Sequence, residues 1–169
     1  MVDKIRVGVL TVSDRCSSGE QEDLSGKEVQ NALPSDDYII ALYAVVPDEK
    51  KIITDTLKRW VDIYDCDLIL TTGGTGFSKR DVTPEATLRV IERTAPGIVQ
   101  LLLTKGIKNH PFAALSRPVA GIRGETIIVN LPGSPSGAKD GVKVLIPLIP
   151  HALSVLKDNP VTDHTTDNP

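Results

Sequence analysis

Apolar positions along the chain fall into two alternating rhythms. "IRVGVLTV" (5–12), "YIIALYAVV" (38–46) and "DLILTT" (67–72) are short, nearly unbroken apolar runs rich in β-branched residues. Such runs predict strands, the first of them covered on both faces. Between the second and third lies "PDEKKIITDTLKRWVDI" (47–63), where Ile53, Leu57, Trp60 and Val61 make one stripe at helical spacing. Asp48 and Glu49 suit the positive end of that helix. A shorter helix is predicted from Ser25 as cap to about Leu33, with Val29 and Leu33 on one face, after a polar loop over 15–26. Thr83-Pro84-Glu85 predicts another helix start, running to about Arg93, and "GIVQLLLTKGI" (97–107) a further helix beyond Pro96.

Two strand-like runs, "PVAGIR" and "TIIVNLP", follow, with Gly124-Glu125 placed to turn a hairpin. The segment from Gly133 to Asp158 reads as a final helix that Pro147 and Pro150 should kink or break. We expect one domain over 1–158 and a disordered tail over 159–169, whose polar sequence carries no apolar anchor. Strands alternating with helices imply a parallel sheet covered by helices. Ligands of such sheets bind beyond the carboxyl ends of the strands. The polar and glycine residues collect at those ends: Ser13-Asp14, Pro47-Asp48, Thr72-Gly73-Gly74 and Pro132-Gly133-Ser134.

Composition narrows the possibilities without choosing among them. With 19 basic and 22 acidic residues the net charge is −3, which argues against a broad nucleic-acid or membrane-binding surface. No stretch approaches the roughly 18 apolar residues of a membrane span, and the N-terminus lacks the features of a signal peptide. The two cysteines, Cys16 and Cys66, have neither zinc-site nor disulfide-framework spacing, so we expect reduced thiols and a cytoplasmic protein. His110, His151 and His164 show no metal-ligand spacing, and no hydrolase elbow is present.

The chemistry-bearing stretch is "TTGGTGFSKRDVTPEA". Glycines after a strand let the backbone approach a ligand, and their N–H groups can cradle phosphate. The stretch is neither a Walker loop nor a dinucleotide fingerprint, so by itself it admits a simple tight turn equally well. "NLPGSPSGAKDG" offers a second anion site or a plain helix cap. Asp14, Asp48 and Asp81, each unremarkable singly as turn or cap residues, all fall on the predicted ligand edge. Magnesium favours a few carboxylates completed by phosphate and water, so the set points to a Mg-nucleotide site. Arg117, after Ser116, lies where it could reach a phosphate.

Taken in order, "LTVSD", "EDLSG", "VVPDE", "LILTTGGTGFSKRDVTPEAT", "PFAALSRPVAGIRG" and "IIVNLPGSP" resemble the molybdopterin adenylyltransferases. These include the bacterial MogA proteins and the G domains of plant and animal relatives such as gephyrin. The resemblance implies a three-layer α/β/α fold with a mostly parallel sheet, a homotrimer, and transfer of AMP from Mg-ATP to the phosphate of molybdopterin. It also implies an E-type molybdotransferase as partner in molybdenum cofactor biosynthesis. By the same resemblance Asp48 and Asp81 are expected to act catalytically and through magnesium. Gly73, Gly74, Thr75 and Gly76 should line the pocket. Ser13, Asp14, Asp23, Ser25 and Gly26 should lie near the nucleotide, Ser116 and Arg117 on the molybdopterin side, and Gly133 and Ser134 in a second turn. Whether the chain acts alone or as part of a fusion stays open, and a non-catalytic trimeric scaffold of the gephyrin type is the alternative.

Overall fold

The computed structural model describes residues 4–158, so the expected disordered tail lies outside the described residues. Six strands form one sheet: β1 (Ile5–Val12), β2 (Tyr38–Val46), β3 (Leu68–Thr72), β4 (Arg93–Thr94), β5 (Ala120–Arg123) and β6 (Thr126–Leu131), in the order β2-β1-β3-β6-β5-β4. The four strands β2, β1, β3 and β6 are mutually parallel, while β5 and β4 run antiparallel at one edge. The expected mostly parallel α/β sheet is thus the one observed.

Side-chain alternation along the strands divides the core in two. Val7, Val9, Leu68, Leu70, Ile127, Val129 and Leu131 face a layer built from α2 (Leu24–Ala32), α5 (Pro96–Asn109), α6 (Pro135–Leu145) and α7 (Ile149–Leu156). Leu10, Val12, Ile69 and Ile128 face the opposite layer, where α3 (Lys50–Asp62) contributes Ile53, Leu57 and Trp60 and α4 (Thr83–Leu88) contributes Ala86. Every residue of β3 is buried, which suits its apolar Leu68-Ile69-Leu70 run and the two β-branched threonines that end it. Burying each such Leu or Ile contributes about 1.5–3 kcal/mol.

Several expectations shift in detail. The predicted loop after β1 contains a helical turn, α1 (Asp14–Ser17), because the Ser13 hydroxyl accepts the Cys16 N–H. The cap of α2 is Asp23 rather than Ser25, since a carboxylate is the stronger acceptor and it takes the Gly26 N–H at 2.8 Å. Helix α4 ends at Leu88 instead of near Arg93, because Arg93 and Thr94 pair with Ile122 and Gly121 as an edge strand. A 3₁₀ turn (Pro111–Leu115) follows α5. The final helix is broken, as its prolines require: α6 stops at Leu145, and Pro150 sits in the first turn of α7. The β5–β6 hairpin turns at Gly124 as expected.

Candidate active site

Register brings the strand ends together. Val12 lies beside Val46, Thr11 beside Thr72, and Thr72 beside Leu131. The residues that follow these four strand ends therefore emerge side by side. The chain runs from β1 to β2 on one side and reaches β3 on the other, so the sheet order reverses at β1, where a crevice opens naturally.

Two glycines shape that crevice. Gly73 has φ +95°, and a Cβ there would stand 2.2 Å from the Val12 carbonyl oxygen. Gly74 has φ +64°, and a Cβ there would stand 2.3 Å from Thr83 Oγ1 and 2.9 Å from Asp48 Oδ1. Both the left-handed backbone and the close approach exclude a side chain. Thr83, at the start of α4, fastens the loop: its hydroxyl donates to the Gly73 carbonyl and its N–H to the Gly74 carbonyl.

Around this loop the acids are locked together. The Asp14 N–H donates to Asp48 Oδ2 at 2.9 Å, and the Asp48 N–H donates to Asp14 Oδ1 at 3.0 Å. Arg80 then grips Asp14 through Nε and Nη2 and also donates to Glu49. The Arg80 guanidinium holds the Asp14 carboxyl below the usual carboxylate range, helped by the Asp48 N–H. Asp48 moves the other way: burial pushes its carboxyl up, the charges of Asp14 and Asp81 push it further, and the Asp14 N–H and Arg80 only partly oppose this. Asp81 accepts the Ser78 N–H through Oδ2, an oxygen that lies 2.8 Å from where a Gly76 Cβ would be.

Two cavities meet at the glycine loop. One, of about 560 Å³, is lined by Ser13, Asp14, Asp23, Ser25, Asp48 and Arg80, among others. The second, of about 680 Å³ and mostly apolar, is lined by Thr75, Gly76, Ser116 and Ser134 and walled by α5 and the turn after it. Gly74, Asp81 and Gly133 line both. A group bridging the cavities would pass over these three residues.

Thirteen of the expected site residues therefore line one or both cavities; Gly26 and Arg117 line neither. Gly26 instead packs under Asp23, whose buried carboxylate accepts from Thr11, Tyr43, Ser25 and the Gly26 N–H. Those bonds outweigh burial and keep the Asp23 carboxyl low. Arg117 is spent on the loop itself. Its Nε donates to the Gly76 carbonyl at 2.9 Å, one Nη to the Asp81 carbonyl at 2.9 Å and the other to Glu85. The Arg117 N–H donates to the Thr75 carbonyl, and the Ser116 and Thr75 hydroxyls lie 3.2 Å apart. The expected reach toward a phosphate gives way to a clamp on the loop, because the carbonyls nearest the guanidinium are the loop's own.

Sequence reading missed Arg80 as a participant, together with Asn130 and the outer wall of the larger cavity. Asn130 is fully buried, donates to Thr71 and Thr87, and accepts the Val119 N–H. An amide inside the apolar run "TIIVNL" was the signal for it. The wall residues Leu102, Lys105, Asn109, His110 and Phe112 carry no local signal, since only the packing of α5 and of the 3₁₀ turn after it places them there.

Among the described residues, no group of three or more His, Cys, Asp or Glu side chains is arranged to hold a metal ion. The donor set nevertheless fits magnesium. Asp48 and Asp81 line one cavity and repel each other, a divalent cation relieves that repulsion, and magnesium takes its remaining ligands from phosphate and water.

Residues 8–151 match the family described as "Probable molybdopterin binding domain". A molybdopterin adenylyltransferase of Helicobacter pylori is 42% identical over 159 residues, covering 92% of this chain and 89% of that protein. Gephyrin of Dictyostelium discoideum is 42% identical over 91% of this chain, which spans only 23% of that longer protein. The crystal structure of the molybdopterin biosynthesis enzyme MoaB of Thermus thermophilus superposes with a TM-score of 0.86 at 46% identity, covering 92% of this chain and 98% of that one.

Proposed function

The chain belongs to this molybdopterin-binding domain family, and from that membership we propose that it is a molybdopterin adenylyltransferase, a nucleotidyltransferase of molybdenum cofactor biosynthesis. The substrates are molybdopterin and Mg-ATP. An oxygen of the molybdopterin phosphate attacks the α-phosphorus. The new P–O bond forms as the bond to the bridging oxygen breaks, and pyrophosphate leaves with that electron pair.

The observation that carries this reading is the meeting of two cavities at Gly74, Asp81 and Gly133. The mostly apolar one suits a flat pterin, and the acidic one suits a nucleotide with its cation. Phosphoryl groups from both would then meet over bare main chain. Such a reaction asks the protein for positioning and charge compensation rather than for a nucleophile.

Gly73 and Gly74 let the phosphates approach the backbone, and the Ser13, Ser116 and Ser134 hydroxyls line the two substrate chambers. Asp48 and Asp81 would hold the magnesium, which when bound supplies positive charge against the phosphate oxygens. Asp14 fixes Asp48 through their mutual hydrogen bonds. Arg117 keeps Thr75, Gly76 and Asp81 in place.

The proposal includes a homotrimer, a cytoplasmic setting and an E-type molybdotransferase that receives the product. Incubating the purified chain with molybdopterin, ATP and magnesium should yield adenylylated molybdopterin and pyrophosphate in equal amounts, resolved by chromatography. Unchanged molybdopterin, beside an active relative as control, overturns the assignment. Sedimentation and co-purification test the assembly and the partner.

A further inference from the structure

Asp14, Asp48 and Asp81 line the acidic chamber, and Glu49 stands beside it as a partner of Arg80. Arg15 and Glu22 also line it, and Asp23 is consumed by its own hydrogen bonds. Of the four, Asp14 has both oxygens engaged. Oδ2 accepts from Arg80 Nε at 3.0 Å, and Oδ1 accepts from Arg80 Nη2 at 2.9 Å and from the Asp48 N–H at 3.0 Å. Arg80 comes from the loop that ends in Asp81, so a single side chain ties the segments after β1, after β2 and after β3.

We propose that Arg80 withholds Asp14 from cations, leaving the Asp48–Asp81 pair too sparse to hold a divalent ion until a triphosphate brings further ligands. The inference rests on Asp48 and Asp81 being the cation-holding pair. Magnesium keeps most of its waters unless several hard oxygens converge, so two carboxylates form a weak site and three form a stronger one. An arginine suits the task because its planar fork covers both carboxylate oxygens at once, which a lysine cannot do. The consequence is order: the cation enters with the nucleotide instead of occupying the empty protein. Arg80 is a positioning residue in this proposal, acting through Asp14.

The test is Mn²⁺ binding to the nucleotide-free full chain, read from the electron paramagnetic resonance signal of free Mn²⁺. The wild type should bind weakly. Arg80→Ala should bind about tenfold more tightly, since an added unit charge at contact distance acts strongly even near a surface. Arg80→Lys should fall between them. The gain should vanish in the double variant Arg80→Ala/Asp14→Asn, a reversal that general loosening of the loop would not give. Arg80 is about half exposed, so these variants should fold, and Arg80→Gln carries the same expectation if the alanine form does not. Unchanged Mn²⁺ affinity in Arg80→Ala, or a gain that survives Asp14→Asn, overturns the proposal. The underlying reading fails separately, if Asp48→Asn and Asp81→Asn leave Mn-ATP binding at the wild-type level.

Discussion

Asp14 and Asp48, from loops after adjacent parallel strands, each donate a backbone N–H to the other's carboxylate, at 2.9 and 3.0 Å. The exchange fixes the spacing of two acids that would otherwise repel. It also leaves Asp48 partly buried beside the charges of Asp14 and Asp81, with its carboxyl raised above the ordinary value.

From this follows a trade between activity and stability. A carboxyl whose folded pKa is raised contributes stability below its unfolded value near 3.8, and that stability is lost as pH rises through the folded value. Ionised Asp48 therefore burdens the fold at neutral pH. Asp48→Asn should raise the melting temperature at pH 7, with the advantage shrinking toward pH 3, while adenylylation slows about 10²-fold or more. Calorimetry across pH and a product assay check both halves. A melting temperature lowered at pH 7 would show that the carboxylate's hydrogen bonds outweigh its crowding.

Gly74→Ala and Gly124→Ala form a matched pair. Both positions have positive φ, but a Cβ at Gly124 meets nothing within 4 Å, whereas one at Gly74 collides with Thr83 and crowds Asp48. Gly124→Ala should cost about 1 kcal/mol from backbone strain alone, with activity retained. Gly74→Ala should cost more, about 2–4 kcal/mol, and abolish turnover. Denaturant melts of the two proteins decide it.

Arg117 should tolerate no conservative replacement. Arg117→Lys keeps the charge but offers one donor group where the carbonyls of Gly76 and Asp81 and the Glu85 carboxylate take three. We expect both Arg117→Lys and Arg117→Ala to lose about 1–2 kcal/mol of stability and roughly tenfold in kcat. Lysine restoring full kcat would show that charge, and not the fork, is what the loop needs.

Asp23 is a structural hub beside the acidic cavity. Its folded pKa is depressed, so its stabilisation is present above pH 3.8 and lost as pH falls through the folded value. Tyr43→Phe should cost about 1 kcal/mol and Asp23→Ala about 2–3 kcal/mol at pH 7, because the latter strands the buried Thr11 hydroxyl and frees the Gly26 and Ser25 donors. Urea midpoints at pH 7 and at about pH 2.5 measure both, and the difference between Asp23→Ala and wild type should narrow only once the pH falls below 3.8.

The sequence by itself determined five of the six strands, the long helices, the parallel sheet and the edge on which chemistry would sit. These follow from local physics: apolar period selects strand or helix, proline and glycine end elements, and parallel crossovers put every loop after a strand on one side. It also determined which glycines and acids would face that edge, because residues just beyond a strand have no other place to go. Only the tertiary structure decided what those side chains do. Arg117 and Asp23 were legible as polar residues near a ligand, yet their partners lie on other elements, and a donor's choice between loop carbonyl and phosphate is fixed by distances no single segment contains. The Arg80 fork, the buried Asn130 amide and the α5 wall were beyond reach for the same reason: each exists only once separate crossings of the sheet are packed into register.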